Sequence, residues 1–357
     1  MKNHRIKFWG VRGSFPTPDR DKIEVGGHSS CVEIRTADNE LIIFDMGTGF
    51  IPFGKSLLKE KNPPKKAHVF ISHFHWDHII GYLGFAPFFC DWFTCNIYGK
   101  EDKLSIEEIF QHIHHYTFWP IEMPMYKAKF NLNTFPKEGL KISNNIKMTS
   151  ILHGHPNGAN SYRLEIGNKV IVYCTDIEHP DNHLNQNAIQ IAQNADVLIN
   201  DAQFTDEQLS DHKGWGHSSW QQSVSLAKES NTKKLILFHH SPENNDESIR
   251  NIEKDAQWIP ENPEYNPYDL EQKKRKNPIK FCKRPWMETF INWNGDVFPC
   301  GCVVTESKYS MGNAFLKDFE EIWNGEKYVS ARKELLGQPN DLETICHLCK
   351  KNGYYTP

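Results

Sequence analysis

Residues 73–78 carry side chains of the types that bind metal ions. They read His-Phe-His-Trp-Asp-His, so three imidazoles and one carboxylate fall within six positions. Imidazole and carboxylate ligands together suit divalent ions such as zinc, iron or manganese. Because one tetrahedral ion seldom takes four ligands from so short a loop, the spacing predicts two metal ions. The alternative interpretation is a polar loop in a chain that is rich in histidine, with 18 in all.

Three later residues supply further ligand candidates. His155, Asp176 and His239 each follow an apolar run that predicts a strand. We expect the ends of these strands to bring the three side chains to the same edge as residues 73–78. A carboxylate such as Asp176 can bridge two cations, and a water shared by the two ions loses its proton near neutral pH. The pattern therefore predicts a hydrolase that uses a bridging hydroxide.

The elements that must position these side chains are mainly strands. Short runs of β-branched and aromatic residues predict strands at 31–35, 41–44, 67–71, 147–152, 162–166, 169–174, 197–200 and 234–238. Apolar spacing predicts helices at 105–114, 184–193 and 218–229, the last with Ser218 as its N-cap. Because the first ligand loop directly follows the strand at 67–71, its side chains are expected at a strand end.

Length, charge and cysteine content limit the classes of protein. A chain of 357 residues predicts two domains, and a formal net charge of -4 argues against a surface that coats a polyanion. No apolar run approaches the roughly 18 residues of a membrane helix, and the first ten residues lack the apolar core of a signal peptide. We therefore expect a cytoplasmic protein without a membrane partner. Its nine cysteines are then interpreted as reduced thiols or metal ligands.

A change in composition near residue 241 divides the chain. Residues 241–277 are polar, contain several prolines and end in the basic run at 273–276. We predict a metal-binding domain at 1–245, a linker at 246–277 and a small cysteine-rich domain at 278–357. The basic run suits contact with nucleic acid, but a solvated linker face is the favoured interpretation.

The motifs of the first domain resemble the metallo-β-lactamase superfamily. Within it, the chain is similar to the branch of ribonuclease Z and small phosphodiesterases. The similarity rests on Gly-Val-Arg-Gly-Ser at 10–14, Ile-Phe-Asp-Met-Gly-Thr-Gly at 43–49 and Trp-Gly-His-Ser-Ser-Trp at 215–220. It covers residues 4–245 and implies an α/β fold, a four-layer αβ/βα sandwich with two metal sites.

The resemblance also implies which residues hold the metal ions. One site takes three histidines, which are His73, His75 and His155. The other takes Asp77, His78 and His239, and Asp176 bridges the two ions. His155 is chosen over His153 because it keeps the seven-residue interval of the family to a Tyr-Arg pair, here at 162–163. His239 is chosen over His240 because it directly follows the predicted strand.

Two further residues resemble a pair that phosphodiesterases of this superfamily place beside the metals. They are Asp201, in Asn-Asp-Ala-Gln-Phe at 200–204, and His217. An imidazole oriented by a carboxylate can stabilise the transition state and protonate the leaving oxygen. We therefore assign catalytic roles to Asp201, His217 and Asp77. The alternatives are that His217 caps a helix and Asp201 closes a turn, while Asp45 is either an outer partner of a metal-bound histidine or a turn residue.

Other aromatic, histidine and cysteine residues are interpreted as structural. The stretch at 83–125 is rich in aromatic residues, which we expect to form core rather than a pocket that stacks a base. The histidines at 112, 114 and 115 are not expected to be ligands. The cysteines at 31, 90, 95 and 174 lack metal-ligand spacing and are interpreted as buried thiols.

The carboxyl-terminal cysteines form a second metal-binding pattern. Two separated groups that end in Cys-His-Leu-Cys at 346–349 indicate thiolate ligands for zinc or for an iron-sulfur cluster. Residues 278–352 resemble the SPASM domain, whose members bind four-iron, four-sulfur clusters, through Phe-Cys-Lys-Arg-Pro-Trp at 281–286 and Asn-Gly-Asp-Val-Phe-Pro-Cys at 294–300. The expected ligands of one 4Fe-4S cluster are Cys282, Cys300, Cys346 and Cys349. Cys302 is a substitute for Cys300, and zinc is the alternative metal.

The leading interpretation is a phosphodiesterase that uses two divalent ions, which are zinc, iron or manganese. Its expected partner is a small phosphodiester substrate, which is a cyclic nucleotide, a phosphorylated sugar or an RNA end, and RNA itself is the alternative partner. One alternative is an iron-dependent oxidoreductase fed by the iron-sulfur domain, although His75 stands where electron-transfer members usually have a glutamate. Another is a hydrolase whose carboxyl-terminal domain docks a peptide or protein partner. Members of this branch are often dimers, so a homodimer is a further expectation.

Overall fold

The computed structural model describes residues 4–100, 103–181, 183–256, 285, 289–291, 296–300, 309–338, 342 and 344–351. The chain divides into two units, Met1–Pro260 and Glu261–Pro357. No helix in these described ranges is long and apolar enough to cross a membrane.

The first unit is built on two six-stranded sheets. The strands of the first sheet, in spatial order, are β1 (Arg5–Gly10), β2 (Cys31–Arg35), β3 (Leu41–Phe44), β4 (Lys66–Phe70), β5 (Thr94–Gly99) and β6 (Lys129–Thr134). Those of the second, in spatial order, are β12 (Leu235–Phe238), β11 (Val197–Asp201), β10 (Lys169–Cys174), β9 (Ala159–Ile166), β8 (Ile146–His153) and β7 (Leu140–Ser143). Because β3 to β6 are parallel, and so are β10 to β12, the carboxyl ends of each set share one sheet edge.

Side-chain alternation buries both faces of the central strands. In β3, Ile42 and Phe44 face the second sheet, whereas Leu41 and Ile43 pack into a separate apolar cluster on the opposite face. Phe44 stacks on Tyr173 of β10, with ring centroids 4.8 Å apart. The two sheets therefore meet face to face through an apolar core, and strands buried on both faces read as continuous apolar runs.

Helices cover the outer faces of the two sheets. The described helices of the first unit are α1 (Phe50–Leu57), α2 (Trp76–Ile79), α3 (Ile106–Ile113), α4 (Gln186–Ala192), α5 (Asp206–Leu209), α6 (Trp220–Glu229) and α7 (Asp246–Asp255). Residues of α1 and α3 pack in the cluster outside the first sheet, and residues of α4 and α6 pack in the cluster outside the second. The order helix, sheet, sheet, helix confirms the predicted four-layer α/β sandwich.

The predicted strands are all present, with ends that differ by a few residues. Strands β1, β5, β6 and β7 were not predicted. The Asn-rich β6 has low strand propensity, and it is held by parallel pairing with β5 and by a 2.7 Å hydrogen bond from Asn131 Nδ2 to Asn96 Oδ1. The predicted cap Ser218 is wrong, because Ser219 accepts the N–H of Gln222 and forms the capping box of α6.

The segment expected to be linker from residue 246 begins with helix α7. Asn245 caps this helix, and its buried residues include Ile249 and Ile252. The Asp246 carboxylate accepts the backbone N–H groups of Glu24 and Val25 at 2.8 and 3.1 Å. The polar composition of residues 246–255 does not indicate a helix, but these residues form a short amphipathic helix that packs within the first unit. Residues 257–277 of the expected linker lie outside the described residues.

The fully buried aromatic residues between 83 and 125 are Phe85, Phe88, Phe93 and Phe110, and all four belong to the core. Phe85 stacks on Phe50 of α1 with centroids 3.8 Å apart, and Phe88 and Phe93 are fully buried in the same cluster. The core interpretation is confirmed for these four side chains, whereas Phe89, Tyr116 and Phe118 of the same stretch are exposed and are not core. His114 donates or accepts one hydrogen bond with Tyr82, so it has a structural partner away from the ligand candidates.

The second unit has a small core of its own. Its antiparallel sheet has strands β13 (Phe290–Ile291), β14 (Asp296–Phe298) and β15 (Gly312–Asn313). Its helices are α8 (Phe319–Trp323), α9 (Glu326–Leu335) and α10 (Ile345–Lys351). Val297, Tyr328 and Cys346 are among the buried residues that join the sheet to these helices.

Candidate metal centre

The loop after β4 passes directly into a helix, and both segments carry ligand candidates. His73 and His75 lie in the loop, and α2 begins at Trp76, so Asp77 and His78 lie on its first turn. His73, Asp77 and His78 are buried. A strand end followed at once by a helix turn thus places four polar side chains within one short segment.

Three residues at strand ends have a left-handed backbone. Asp45 follows β3, Asp176 follows β10 and His239 follows β12, with φ angles of 58°, 56° and 57°. Such a conformation costs a residue other than glycine on the order of 1–3 kcal/mol and is concentrated at functional sites. The packed sheets offset this cost, and the three side chains converge on one buried cluster.

The predicted ligands form two adjoining groups. In the first, one ring nitrogen from each of His73, His75 and His155 lies within 4.8 Å of the other two. In the second, the same limit holds for one ligand atom from each of four residues, which are Asp77, His78, Asp176 and His239. The structure therefore brings together all seven residues that the sequence singled out as metal ligands.

Asp176 lies between the two groups. Its Oδ1 is 3.3 Å from His239 Nε2 and 3.8 Å from His73 Nε2, and its Oδ2 is 3.3 Å from His78 Nε2. The same Oδ1 is 4.0 Å from His155 Nε2. One carboxylate is thus within reach of histidines from both groups, which is the position that a bridging ligand requires.

The chemistry of this donor set fits divalent metal ions. His78 Nε2 lies 3.2 Å from His239 Nε2, and His155 Nε2 lies 3.1 Å from His75 Nδ1. Nε2 of His73 is buried and has no hydrogen-bond partner among the described residues. Facing imidazole nitrogens with carboxylates between them are satisfied by shared cations.

The ionisation of the cluster agrees with this use. Burial lowers the pKa of His73 well below its ordinary value, and His78 lowers it further. Burial alone would raise the pKa of Asp176, but His239 and His78 hold that pKa well below its usual range. Burial also disfavours protonation of His78, yet Asp176 and Asp77 outweigh it and raise the pKa of that ring. A bound cation therefore competes with a proton at His78.

Three histidine ligand candidates have outer hydrogen-bond partners, and that of His73 is Ser72, whose Oγ lies 3.1 Å from His73 Nδ1. Asp45 Oδ2 lies 2.8 Å from Nδ1 of His78, and it also accepts the hydroxyl hydrogens of Ser72 and Tyr173. Of the two roles weighed for Asp45, the outer partner of a histidine is the one that the structure shows. Nδ1 of His155 lies 2.9 Å from the carbonyl oxygen of Gly216. Such partners fix the tautomer and the orientation of metal-binding imidazoles.

Asp201 and His217 form a hydrogen-bonded pair beside the two groups. His217 Nδ1 lies 2.9 Å from Asp201 Oδ2 and 3.8 Å from Asp176 Oδ1. Burial opposes protonation of His217, but Asp201 raises its pKa overall. His217 does not cap a helix, because Ser219 is the cap of α6.

Asp201 is saturated with donors. Its carboxylate accepts the backbone N–H groups of Asp176, Gln203 and Ser218 at 3.0 to 3.1 Å, as well as the bond from His217. The bond from Gln203 closes a tight turn, so this alternative role is present as well. Although Asp201 and His217 also lie within 4.8 Å of ligand atoms of Asp176 and His239, the full set of donors favours Asp201 as an orienting carboxylate.

The histidines that were set aside do not join these groups. His153 and His240 are buried, and neither belongs to a metal-capable group among the described residues. The sequence did not single out Ser14, whose N–H donates to Asp77 Oδ2 at 2.8 Å. It also missed Glu178, whose carboxylate accepts the N–H groups of Gly214 and Gly216 at 2.7 and 2.8 Å. The sequence motifs that contain Ser14 and Gly216 carry the family resemblance but do not reveal these contacts.

Three of the five cysteines considered as cluster ligands lie among the described residues. Cys346 is buried on α10, and Cys349 lies one turn later on the same helix, packed against the same core. Cys300 follows β14, whereas Cys282 and Cys302 lie outside the described residues. The metal-capable groups found among the described residues contain no cysteine. The cluster ligands therefore stay a prediction.

Comparisons with known proteins agree with the fold. Residues 41–240 match the family model for the beta-lactamase superfamily domain, and residues 282–350 match SPASM, an iron-sulfur cluster-binding domain. A ribonuclease Z of Thermoplasma acidophilum is 29% identical over 291 residues, which are 69% of this chain and 89% of that protein.

Solved structures show the same fold at low sequence identity. The metallo-β-lactamase fold protein YhfI of Bacillus subtilis has a TM-score of 0.51 and 21% identity, and the match covers 71% of this chain and 93% of YhfI. A diphosphatase from the PhnP family has a TM-score of 0.52 and 18% identity, and covers 72% of this chain and 92% of its own.

The two family matches confirm the resemblances that the motifs carry. The first implies bound divalent metal ions, and the second implies an iron-sulfur cluster. The geometry of the two ligand groups agrees with the first of these. The chain belongs to the metallo-β-lactamase superfamily, as a metal-dependent hydrolase that carries a SPASM domain at residues 282–350.

Proposed function

We propose that this hydrolase is a dinuclear phosphodiesterase. The observation that carries the proposal is the Asp201–His217 pair, with 2.9 Å between the carboxylate and Nδ1, directly beside the shared carboxylate of Asp176. A hydrolase whose only catalytic group is a metal-activated water does not need an imidazole that a carboxylate orients beside the metal ligands. Phosphodiester cleavage does, because its leaving oxygen must be stabilised or protonated.

The proposed ligand set divides between two metal ions. His73, His75 and His155 hold one, Asp77, His78 and His239 hold the other, and Asp176 is shared. When bound, two divalent ions supply an acidified water and neutralise charge on the phosphoryl oxygens. The support for this division is that, in each set, one ligand atom from every residue lies within 4.8 Å of the others, and that Asp176 lies between the two sets.

The protein groups have separate parts in the reaction. Asp201 accepts a hydrogen bond from the Nδ1–H of His217 and raises the pKa of that ring, so His217 can carry a positive charge and donate through Nε2 to the leaving oxygen. Asp77, the third proposed catalytic residue, accepts N–H of Ser14 at 2.8 Å and lies 3.1 Å from both His78 and His239. It thereby holds the second group of ligands together.

The names of the relatives support phosphoester chemistry. One curated relative is a ribonuclease Z, and one structural relative is described as a diphosphatase. We therefore propose a small phosphodiester as the substrate: a cyclic nucleotide, a phosphorylated sugar or an RNA end. The net charge of -4 favours a small substrate or an RNA end over a long polyanion.

For the second unit we propose one 4Fe-4S cluster on Cys282, Cys300, Cys346 and Cys349, with zinc as the alternative. The iron-sulfur description of the matching family supports the cluster, and the two cysteines one turn apart on α10 suit a shared metal. The same match motivates two other functions, an iron-dependent oxidoreductase and a module that docks a peptide or protein partner. The all-imidazole group of His73, His75 and His155 keeps the hydrolase ahead of the oxidoreductase.

The test is hydrolysis of a chromogenic phosphodiester, bis(p-nitrophenyl) phosphate. Protein purified without oxygen is assayed with zinc, manganese or ferrous iron. The proposal predicts hydrolysis with at least one metal and its loss in His217→Ala with both metals retained. Absence of hydrolysis with every divalent metal contradicts the phosphodiesterase, and electron transfer to a dye in the same preparation would favour the oxidoreductase.

A further inference from the structure

Nδ1 of His239 lacks, among the described residues, the outer partner that His73, His78 and His155 have. Nε2 of His239 faces the second group, at 3.1 Å from Asp77 Oδ2 and 3.3 Å from Asp176 Oδ1. If this nitrogen holds the metal, the proton of the neutral ring must be on Nδ1. Nδ1 of His239 is buried and has no hydrogen-bond partner among the described residues. A buried donor without an acceptor is unfavourable, and it leaves the ring free to turn.

Asp201 is a poor acceptor for this proton. Its Oδ2 is 3.7 Å from His239 Nδ1, which is beyond hydrogen-bond distance. The same oxygen already accepts bonds from His217 Nδ1 and from the N–H of Asp176. The acceptor for His239 must therefore come from another residue.

Gln203 has an acceptor at the required place. Its side chain is buried, and its Oε1 also has no hydrogen-bond partner in the described part of the chain. A Cβ atom added to Gly13 would overlap both His239 Nδ1 and Gln203 Oε1, so the unpaired donor and the unpaired acceptor adjoin the same point. The geometry thus places an unpaired acceptor beside the unpaired donor.

The rest of the Gln203 side chain is tied to the same metal group. Its Nε2 donates to Ser14 Oγ at 3.4 Å, and the N–H of Ser14 donates to Asp77 Oδ2 at 2.8 Å. Its backbone N–H is fixed by Asp201 Oδ1 at 3.1 Å. Gln203 is thus held in place on one side and connected to a second ligand candidate on the other.

We propose that Gln203 is the positioning residue of His239, and that its Oε1 accepts the Nδ1 proton when Nε2 holds a metal. This inference rests on the ligand set proposed above. In this arrangement Gln203 has the role that Asp45 has for His78 and the Gly216 carbonyl has for His155. Gly13 is required because any larger residue would fill the space between the two atoms.

The test compares metal affinities of the full-length protein in competition with a chelator. Gln203→Met keeps the length of the side chain and removes the amide acceptor, so it should weaken one of the two zinc ions roughly ten- to hundredfold and leave the other unchanged. Gln203→Glu keeps an acceptor at the same position and should restore most of that affinity. Gln190→Met, at an exposed position of α4, is the matched control and should bind both ions normally.

His239→Ala separates the two levels of the argument. It should reduce the bound zinc from two ions to one, and if it does not, the ligand set itself is wrong. If His239→Ala behaves as expected but Gln203→Met binds both ions with wild-type affinity, the role of Gln203 is overturned. Equal weakening of both ions by Gln203→Met also overturns it, because that result reports a general structural effect.

Discussion

His78 and Asp45 are joined by a 2.8 Å hydrogen bond between Nδ1 and Oδ2, with both side chains fully buried. We expect Asp45→Asn to lower metal affinity or activity by roughly ten- to hundredfold, because the ring loses its anionic partner. Asn tolerates the left-handed backbone at this position, so the fold should persist. Chelator competition and circular dichroism measure the two effects. Asp38→Asn, at an exposed position, is the control, and equal affinities in both variants would contradict the role of Asp45.

The Asp201–His217 pair should matter for turnover and not for metal binding. His217→Ala should reduce kcat on a chromogenic phosphodiester by roughly a hundred- to ten-thousandfold, since general acid catalysis typically contributes that much. Asp201→Asn should reduce kcat in the same direction because it removes the charge that raises the pKa of His217. Metal analysis accompanies the kinetics. Loss of a metal ion in His217→Ala would show that this histidine is a ligand instead.

Gly216 and Gly214 offer a matched pair of substitutions. Both have left-handed φ angles, 87° and 83°, so alanine strains the backbone at either position. A Cβ atom on Gly216 would overlap Nδ1 of His155, whereas nothing lies within 4 Å of the corresponding atom on Gly214. Gly216→Ala should therefore weaken the metal ion held by His155, and Gly214→Ala should only lower the melting temperature. Equal loss of metal in both variants would contradict a specific contact between Gly216 and His155.

His68 should make the folded state sensitive to acid. Its side chain is 7% exposed, neither ring nitrogen has a partner in the described residues, and burial lowers its pKa to about 4. A lowered histidine pKa means that the unfolded chain binds the proton more readily, so stability present above about pH 6.5 is lost as the pH falls toward 4. This loss is about 2 to 3 kcal/mol for one such group.

Urea denaturation at pH 7 and pH 4.5 measures this contribution. Replacement by Phe preserves stacking on Tyr98, which lies parallel at 6.1 Å. The free energy of unfolding of His68→Phe should fall less between the two pH values than that of the wild type. An equal fall in both proteins would mean that His68 does not hold a neutral, buried state.

The cysteines should be separable from hydrolysis. Cys346→Ser should remove iron and sulfide from the second unit because it deletes a proposed thiolate ligand on α10. Hydrolysis of bis(p-nitrophenyl) phosphate should remain, since the proposed catalytic groups all lie in the first unit. Cys90→Ser, a half-buried position in the first unit, is the control. If Cys346→Ser abolishes hydrolysis with both divalent metals retained, the result would favour the iron-dependent oxidoreductase.

The sequence was informative where chemistry follows directly after a buried strand. His73 and His239 stand at the ends of continuous apolar runs, so both the strand and the position of the polar side chain could be predicted. Strand β6 was missed because its residues have low strand propensity and its pairing with β5 holds it in place.

The supporting contacts were not predictable from the sequence. Gln203 and Ser14 come from loops that are far apart in the chain and meet only in the folded unit, at 3.4 Å. Glu178 acts through two backbone N–H groups, which carry no sequence signal. Residues that support a ligand through such contacts are recognised only from the folded structure, by their burial and by hydrogen-bond groups that are left unpaired.

Stepwise metal addition tests the central claim most directly. Metal-free protein is loaded with zero to two equivalents of zinc or manganese, and hydrolysis of bis(p-nitrophenyl) phosphate is measured at each step. The dinuclear phosphodiesterase predicts that turnover rises with the second equivalent and reaches its maximum at two ions per chain. Two tightly bound ions without any hydrolysis, or full activity with a single ion, would contradict it.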